Sequence, residues 1–185
     1  MAEVKILFEG FTTADSTGEE GTSCTIILVK DGKIKMVVDP GTVKSQKVIA
    51  SALKNEGLKI KDVNYVGITH SHMDHYRNIG MFPEAKSLDF WGIWEGDKVK
   101  DWTHQFSQNI EIIKTPGHNY DGITFLVNTE KGKVAICGDV FWKENYPEKD
   151  PYASDNKLLK ESRKKVFELS DWIVPGHADI YKTKK

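Results

Sequence analysis

At 185 residues, with 39% hydrophobic and 29% charged side chains, the chain can bury a large core and has the composition of an ordinary folded domain. A net charge of −1 and a pI near 6.6 argue against the basic footprint that broad nucleic-acid binding requires. Cys24 and Cys137 form neither a disulfide framework nor a Cys-x-x-Cys site, and no apolar run approaches the length of a membrane span.

Alternation of apolar and polar residues predicts a first strand over Glu3 to Phe8. Ser23 to Val29 and Lys33 to Val38 read as a hairpin turning at Asp31-Gly32. Thr42 is positioned to cap a helix from Val43 to Glu56, with Gly57 just past its end. A buried strand, Val63 to Ile68, runs into a His-rich loop, and a short helix is expected at Tyr76 to Met81. Strands follow over Ser87 to Phe90, Asn109 to Lys114, Ile123 to Asn128 and Lys133 to Cys137. A helix from Asp155 to Leu169 and a strand from Trp172 to Val174 close the pattern. On that helix Leu158, Ser162, Val166 and Leu169 form the expected buried stripe. Lys157, Lys160, Arg163, Lys164 and Lys165 read as its solvated face, with Glu161 paired to Lys165. Hairpins alternating with helices indicate an α+β fold of two packed sheets flanked by helices, in one domain over residues 1–185.

The chemistry concentrates in His70-Ser71-His72-Met73-Asp74-His75. Imidazole and carboxylate are the usual ligands of hydrolytic metal sites. An irregular turn would aim all four toward one point, because strands and helices spread neighbouring side chains apart. Three more candidates end strand-like runs at turns: His118 after Thr115-Pro116-Gly117, Asp139 after Cys137-Gly138, and His177 after Pro175-Gly176. Strands lying side by side would deliver them to one rim. A lone His is more often structural than a ligand, but the chain has six His and only His104 falls outside the pattern. His104 is expected to be structural or exposed. Two divalent ions about 3.5–4 Å apart could share one water and make hydroxide available at neutral pH.

His70, His72, Asp74 and His75, followed in order by His118, Asp139 and His177, resemble the ligand set of the metallo-β-lactamase superfamily. Gly138-Asp139-Val140-Phe141, Glu161-Ser162-Arg163-Lys164-Lys165 and Val174-Pro175-Gly176-His177 are similar to the subgroup of metallo-β-lactamase domain-containing protein 1 and its small microbial relatives. The resemblance implies an αββα sandwich of two mixed β-sheets. It implies that His70, His72 and His118 hold one metal, that Asp74, His75 and His177 hold another, and that Asp139 bridges them. Asp39, in Val37-Val38-Asp39-Pro40-Gly41, matches an acidic residue that orients a ligating His from behind. Zinc β-lactamases generally carry Cys where Asp139 stands, and flavodiiron proteins carry Glu in place of His72, so neither specialised reading is favoured.

The implied activity is a binuclear hydrolase whose metal-bridging hydroxide cleaves an ester, thioester, lactone or phosphodiester bond, with Asp74 or Asp139 carrying a proton. The implied cofactors are two divalent ions, Zn2+ first, with Fe or Mn compatible with the same donors. The alternatives are a ribonuclease or phosphodiesterase like the resembled RNA-processing relative, or a mononuclear non-haem iron dioxygenase. The expected partner is a small-molecule or exposed ester or phosphodiester substrate. Nucleic acid is not indicated by the net charge, no membrane is expected, and a homodimer is compatible with the sequence. Met1 to Gly10 lacks the layout of a signal peptide, so cytoplasm is the expected location. Two segments, Gly92 to Gln108 and Phe141 to Asp155, are placed near the metal rim. Trp94 and Trp102 in the first are expected to pack under the loop. Trp142 in the second, and Tyr120 beside His118, are the substrate-binding candidates, Tyr120 as a donor to a developing oxyanion. Cys137 is expected to be buried and inert.

Overall fold

The computed structural model describes residues 1–14 and 21–184. One sheet takes β1 (Glu3–Phe8), β4 (Ile26–Asp31), β5 (Ile34–Val38), β6 (Tyr65–Gly67), β7 (Lys86–Leu88), β8 (Ile93–Glu95) and β9 (Lys98–Lys100), in that spatial order. The other takes β10 (Ile110–Lys114), β11 (Ile123–Thr129), β12 (Gly132–Ile136), β13 (Trp172–Val174) and β14 (Tyr181–Lys182). A two-stranded ribbon joins β2 (Phe11–Thr12) to β3 (Thr22–Ser23). The helices are α1 (Lys47–Asn55), the single turn α2 (Met73–Tyr76) and α3 (Asn156–Leu169).

Alternation along the strands builds the layers. Ile27 and Val29 of β4 join Phe125 and Val127 of β11 in the core between the sheets. Ile26 and Leu28, one residue out of phase, pack with Ile49 and Leu53 of α1. Leu126 and Ala135 face Leu159 and Val166 of α3. The result is helix on sheet on sheet on helix, an α+β sandwich of two mixed sheets.

Strand direction explains where the candidate residues gather. β5 and β6 run parallel, as do β12 and β13. β10 and β12 both pair antiparallel with β11, so they share a direction. The C-terminal ends of β5, β6, β10, β12 and β13 therefore lead into Asp39, His70, His118, Asp139 and His177. The Ile123 amide donates to Thr69 O at 2.8 Å and stitches the two sheets together at this rim.

Several local expectations are corrected. Thr42 does not cap α1, which starts at Lys47. The stretch before it is tied elsewhere: the Gly41 amide donates to His75 O at 2.9 Å, and Asn78 Nδ2 donates to Gly41 O at 2.7 Å. Those bonds hold the chain against the His-rich turn and delay the helix. The strand expected from Ser23 to Val29 breaks at Cys24-Thr25, where the Thr25 amide donates to Gly176 O at 2.6 Å. Asp74 and His75 ride on the helical turn α2 rather than on an irregular loop; Tyr76 ends that turn, and of the helix expected from Tyr76 to Met81 only Ile79–Met81 forms, as a 3-10 turn. A hairpin, β8 and β9, fills part of the segment expected to be a loop near the metal rim, turning at Gly96 with φ +63°. On α3 the buried residues are Leu159, Ser162 and Val166, whereas Leu158 and Leu169 are exposed. The ion pair at i,i+4 joins Lys164 to Glu168, and Lys165 Nζ reaches Lys114 O instead of Glu161.

Among the described residues, no helix is long and apolar enough to cross a membrane. Phe125 is fully buried between the sheets. Phe125→Ala is expected to lower stability by about 3–5 kcal/mol, read from urea denaturation.

Candidate metal centre

His70, His72, His118 and Asp139 present donor atoms that lie within 4.8 Å of one another, as do Asp74, His75 and His177. Asp139 faces both groups. Its Oδ2 is 3.3 Å from His118 Nε2 and 3.2 Å from His177 Nε2, and its Oδ1 is 3.3 Å from His75 Nε2 and 3.2 Å from His177 Nε2. All seven residues singled out from the sequence thus meet at one place.

Outer partners settle which nitrogen each ring presents. Asp39 Oδ2 accepts from His75 Nδ1 at 2.8 Å and from Thr69 Oγ1 at 2.7 Å, while Oδ1 accepts the Thr69 amide at 2.8 Å. The Thr69 hydroxyl oxygen in turn accepts from His70 Nδ1 at 3.2 Å. His177 Nδ1 donates to Ser23 O at 3.1 Å, and Thr22 Oγ1 donates to Asp74 Oδ2 at 3.0 Å. His118 Nδ1 donates to Asp150 Oδ2 at 2.6 Å. With Nδ1 carrying the proton, Nε2 of each of these four rings keeps a lone pair directed inward.

The inward atoms demand a cation. His72 Nδ1 lies 3.0 Å from both His70 Nε2 and His118 Nε2, so three ring nitrogens converge. His75 Nε2 and Asp139 Oδ1 are buried with no hydrogen-bond partner. Unpaired buried polar atoms are costly, and a metal is the partner that suits a His/Asp set. Burial, then the charge of His75, holds His70 well below the usual imidazole range. Burial, then the charge of His118, also lowers His72. Burial alone would raise Asp139, but His177 and His75 hold it well below the carboxylate range. Burial opposes charge on His75 too, yet Asp139 and Asp39 outweigh it and push its pKa up. The carboxylates that draw a proton to His75 are the ones that would draw a metal in its place.

Two glycines let the turns close. Gly138 has φ +51°, and a Cβ there would overlap the Thr69 side chain. Gly117 has φ +133°, and a Cβ would overlap the Leu159 backbone. Each sits immediately before a candidate ligand.

The cluster floors a cavity of about 340 Å3 whose walls include Thr12, Ala14, Thr22, Trp142 and Tyr152. Trp142 is buried, stacks on Tyr152 at 5.9 Å and 21°, and has an indole Nε1 without a hydrogen-bond partner. Tyr120 is 62% exposed and lies outside this lining. The Gly92 to Gln108 segment contributes nothing to the lining either: Trp102 packs on the inter-sheet core and Trp94 Nε1 donates to Asp89. Cys137 is buried, and burial pushes its thiol pKa up. His104 is mostly exposed and pairs with Glu111 at 3.2 Å. Asp150 escaped the sequence reading. It sits in a charged loop beside Glu144, Glu148 and Lys149, where nothing in the sequence marks the one carboxylate that becomes buried.

A family model described as the metallo-β-lactamase superfamily matches residues 19–108. Over 191 residues the chain is 30% identical to a probable metallo-hydrolase of Methanocaldococcus jannaschii, covering 98% of this chain and 90% of that protein. Metallo-β-lactamase domain-containing protein 1 of Xenopus laevis is 27% identical over 194 residues, covering 98% of this chain and 82% of its own. A Thermotoga maritima structure of the metallo-β-lactamase kind superposes with a TM-score of 0.78 at 21% identity, covering 98% of this chain and 99% of that one. An N-acyl homoserine lactone hydrolase, with N-hexanoyl-L-homoserine at its catalytic metal centre, superposes with a TM-score of 0.70 at 16% identity. It covers 95% of this chain and 92% of its own. At these identities the two structures speak to the fold alone.

Asp150→Asn keeps the shape of the carboxylate but removes the charge that holds His118. Metal affinity is expected to fall about 10–100-fold, measured by competition with a chromophoric chelator. Unchanged affinity would remove Asp150 from this role.

Proposed function

The chain belongs to the metallo-β-lactamase superfamily and is a metal-dependent hydrolase; on that footing we propose that it holds two divalent ions, Zn2+ by preference, and cleaves a neutral acyl bond: an ester, thioester or lactone. The observation that carries the two-ion reading is the place of Asp139 between the groups, with Oδ2 near His118 and His177 and Oδ1 near His75 and His177. His70, His72 and His118 would hold one ion and Asp74, His75 and His177 the other, with Asp139 shared. Such a pair supplies Lewis acidity and hydroxide at neutral pH.

The protein's own groups do the rest. Asp39, Asp150 and Ser23 O fix the ring tautomers, so no reorganisation is needed when a substrate arrives. Asp74 is the ligand-set carboxylate with the more open side chain, 20% exposed against 7% for Asp139. At its Oδ1, the oxygen that Thr22 does not hold, it can take a proton from the attacking water and pass it to the leaving group. We further propose that a substrate entering the cavity gives an acceptor oxygen to Trp142 Nε1, which is buried and unpartnered in the free protein, with Tyr152 backing the ring.

The wall also favours an acyl substrate over a phosphodiester chain. Among the described residues the cavity lining holds no Lys or Arg, the side chains that usually track a nucleic-acid backbone. A lactone-type substrate, as in the structural neighbour above, fits an uncharged aromatic wall. The dioxygenase alternative needs one iron and leaves Asp74, His75 and His177 without a task, whereas Asp139 contacts His75 and His177 as closely as it contacts His118.

Protein purified without chelators should carry about two metal ions per chain and hydrolyse p-nitrophenyl acetate or a lactone faster than bis(p-nitrophenyl) phosphate or single-stranded RNA. One iron per chain with oxygen uptake on a persulfide would favour the dioxygenase. Faster RNA cleavage would favour the phosphodiesterase. Trp142→Phe should lower kcat/KM about tenfold, the worth of one hydrogen bond near 1.4 kcal/mol, with metal content unchanged.

A further inference from the structure

We infer that Arg163 is a positioning residue that sets the distance between Asp139 and Asp150, the two carboxylates that grip opposite nitrogens of His118. The inference rests on the metal-centre reading above. Its starting point is a correction: Arg163 is not part of a solvated basic face but half-buried on α3.

One guanidinium touches both carboxylate-bearing segments. Arg163 Nε donates to Val140 O at 2.8 Å, one residue past Asp139. Its Nη1 donates to Glu148 O at 3.1 Å, two residues before Asp150. The cation also lies 5.5 Å from the Phe141 ring centroid. Asp139 Oδ2 stands 3.3 Å from His118 Nε2, and Asp150 Oδ2 stands 2.6 Å from His118 Nδ1. The planar fork therefore ties together the two backbone stretches that sandwich a single imidazole.

The middle of α3 and the residues leading into it also index the His118 turn. Ser162 Oγ donates to Pro116 O at 2.6 Å, the Asp155 amide to Gly117 O at 2.9 Å, and the Ser154 amide to His118 O at 3.0 Å. All three members of the Asp150–His118–Asp139 relay are thus referenced to one rigid element. In the other metal group His75 Nδ1 leans on Asp39 and His177 Nδ1 on Ser23 O, while the Gly176 and His177 amides donate to Phe141 O and Trp142 O, next to the carbonyl that Arg163 holds. Lysine cannot replace the fork, because a point charge on a flexible stem does not hold two divergent carbonyls in fixed geometry.

The test uses the full chain with Arg163→Lys and Arg163→Gln, and Lys164→Ala as a control on the exposed face of α3. In metal-free protein labelled with 15N-histidine, the His118 Nδ1–H signal should shift and exchange faster with solvent in both Arg163 variants, while the His75 Nδ1–H signal stays in place. In a Co2+ titration, affinity should fall about 10–100-fold in both Arg163 variants, because Asp139 is shared by the two groups. Lys164→Ala should match the wild type in both. The inference is overturned if the His118 signal is unmoved or moves no more than the His75 signal, if Co2+ affinity is unchanged, or if both Arg163 variants fail to fold. Wild-type protein that bound no metal would overturn the metal-centre reading instead, because the imidazole signals are read without metal.

Discussion

The structure is organised around an electrostatic demand: too many lone pairs and too few protons in one buried place. Three imidazole nitrogens converge at about hydrogen-bond distance, and an Asp139 oxygen and a His75 nitrogen are buried without partners. Leaving such groups unpaired costs about 1–3 kcal/mol each. The surrounding bonds do not relieve this demand; they enforce it. Asp39, Asp150, Thr69 and Ser23 occupy the outward nitrogens and so turn the inward ones toward each other.

The sandwich makes that arrangement possible without strain spread through the core. Strands of common direction end at one rim, and short turns carry the ligands off their ends. Gly138 and Gly117 let those turns approach Thr69 and α3 where any side chain would collide. Selection of the substrate is a separate matter. In the proposed reading a metal centre would supply reactivity, while Trp142, Tyr152 and the small residues of the ribbon, which line the cavity, would shape what reaches it.

Much of this was legible in the sequence. The seven candidate ligands could be named because five of the six His, with Asp74 and Asp139, fall in one clustered and ordered pattern at turns, and the strands because alternation of apolar residues is a strong local signal. Asp39 was legible only through resemblance. What escaped was set by tertiary contacts. The start of α1 moved because Gly41 bonds to the His-rich turn, which no local propensity records. The β8–β9 hairpin carried a Gly96-Asp97 turn signal, but its short strands were masked by aromatic residues read as loop packing. Asp150 and Arg163 look like neighbouring surface charges in sequence. Only the fold shows that one buries itself behind His118 and the other ties down two backbone segments.

The central claim is that Asp139 sits between two ions. Crystals grown with Zn2+ and measured on both sides of the zinc absorption edge test it most directly. The account predicts two anomalous peaks about 3.5–4 Å apart, with an Asp139 oxygen about 2.0–2.2 Å from each. A single peak, or an Asp139 carboxylate turned away from both groups, would contradict it.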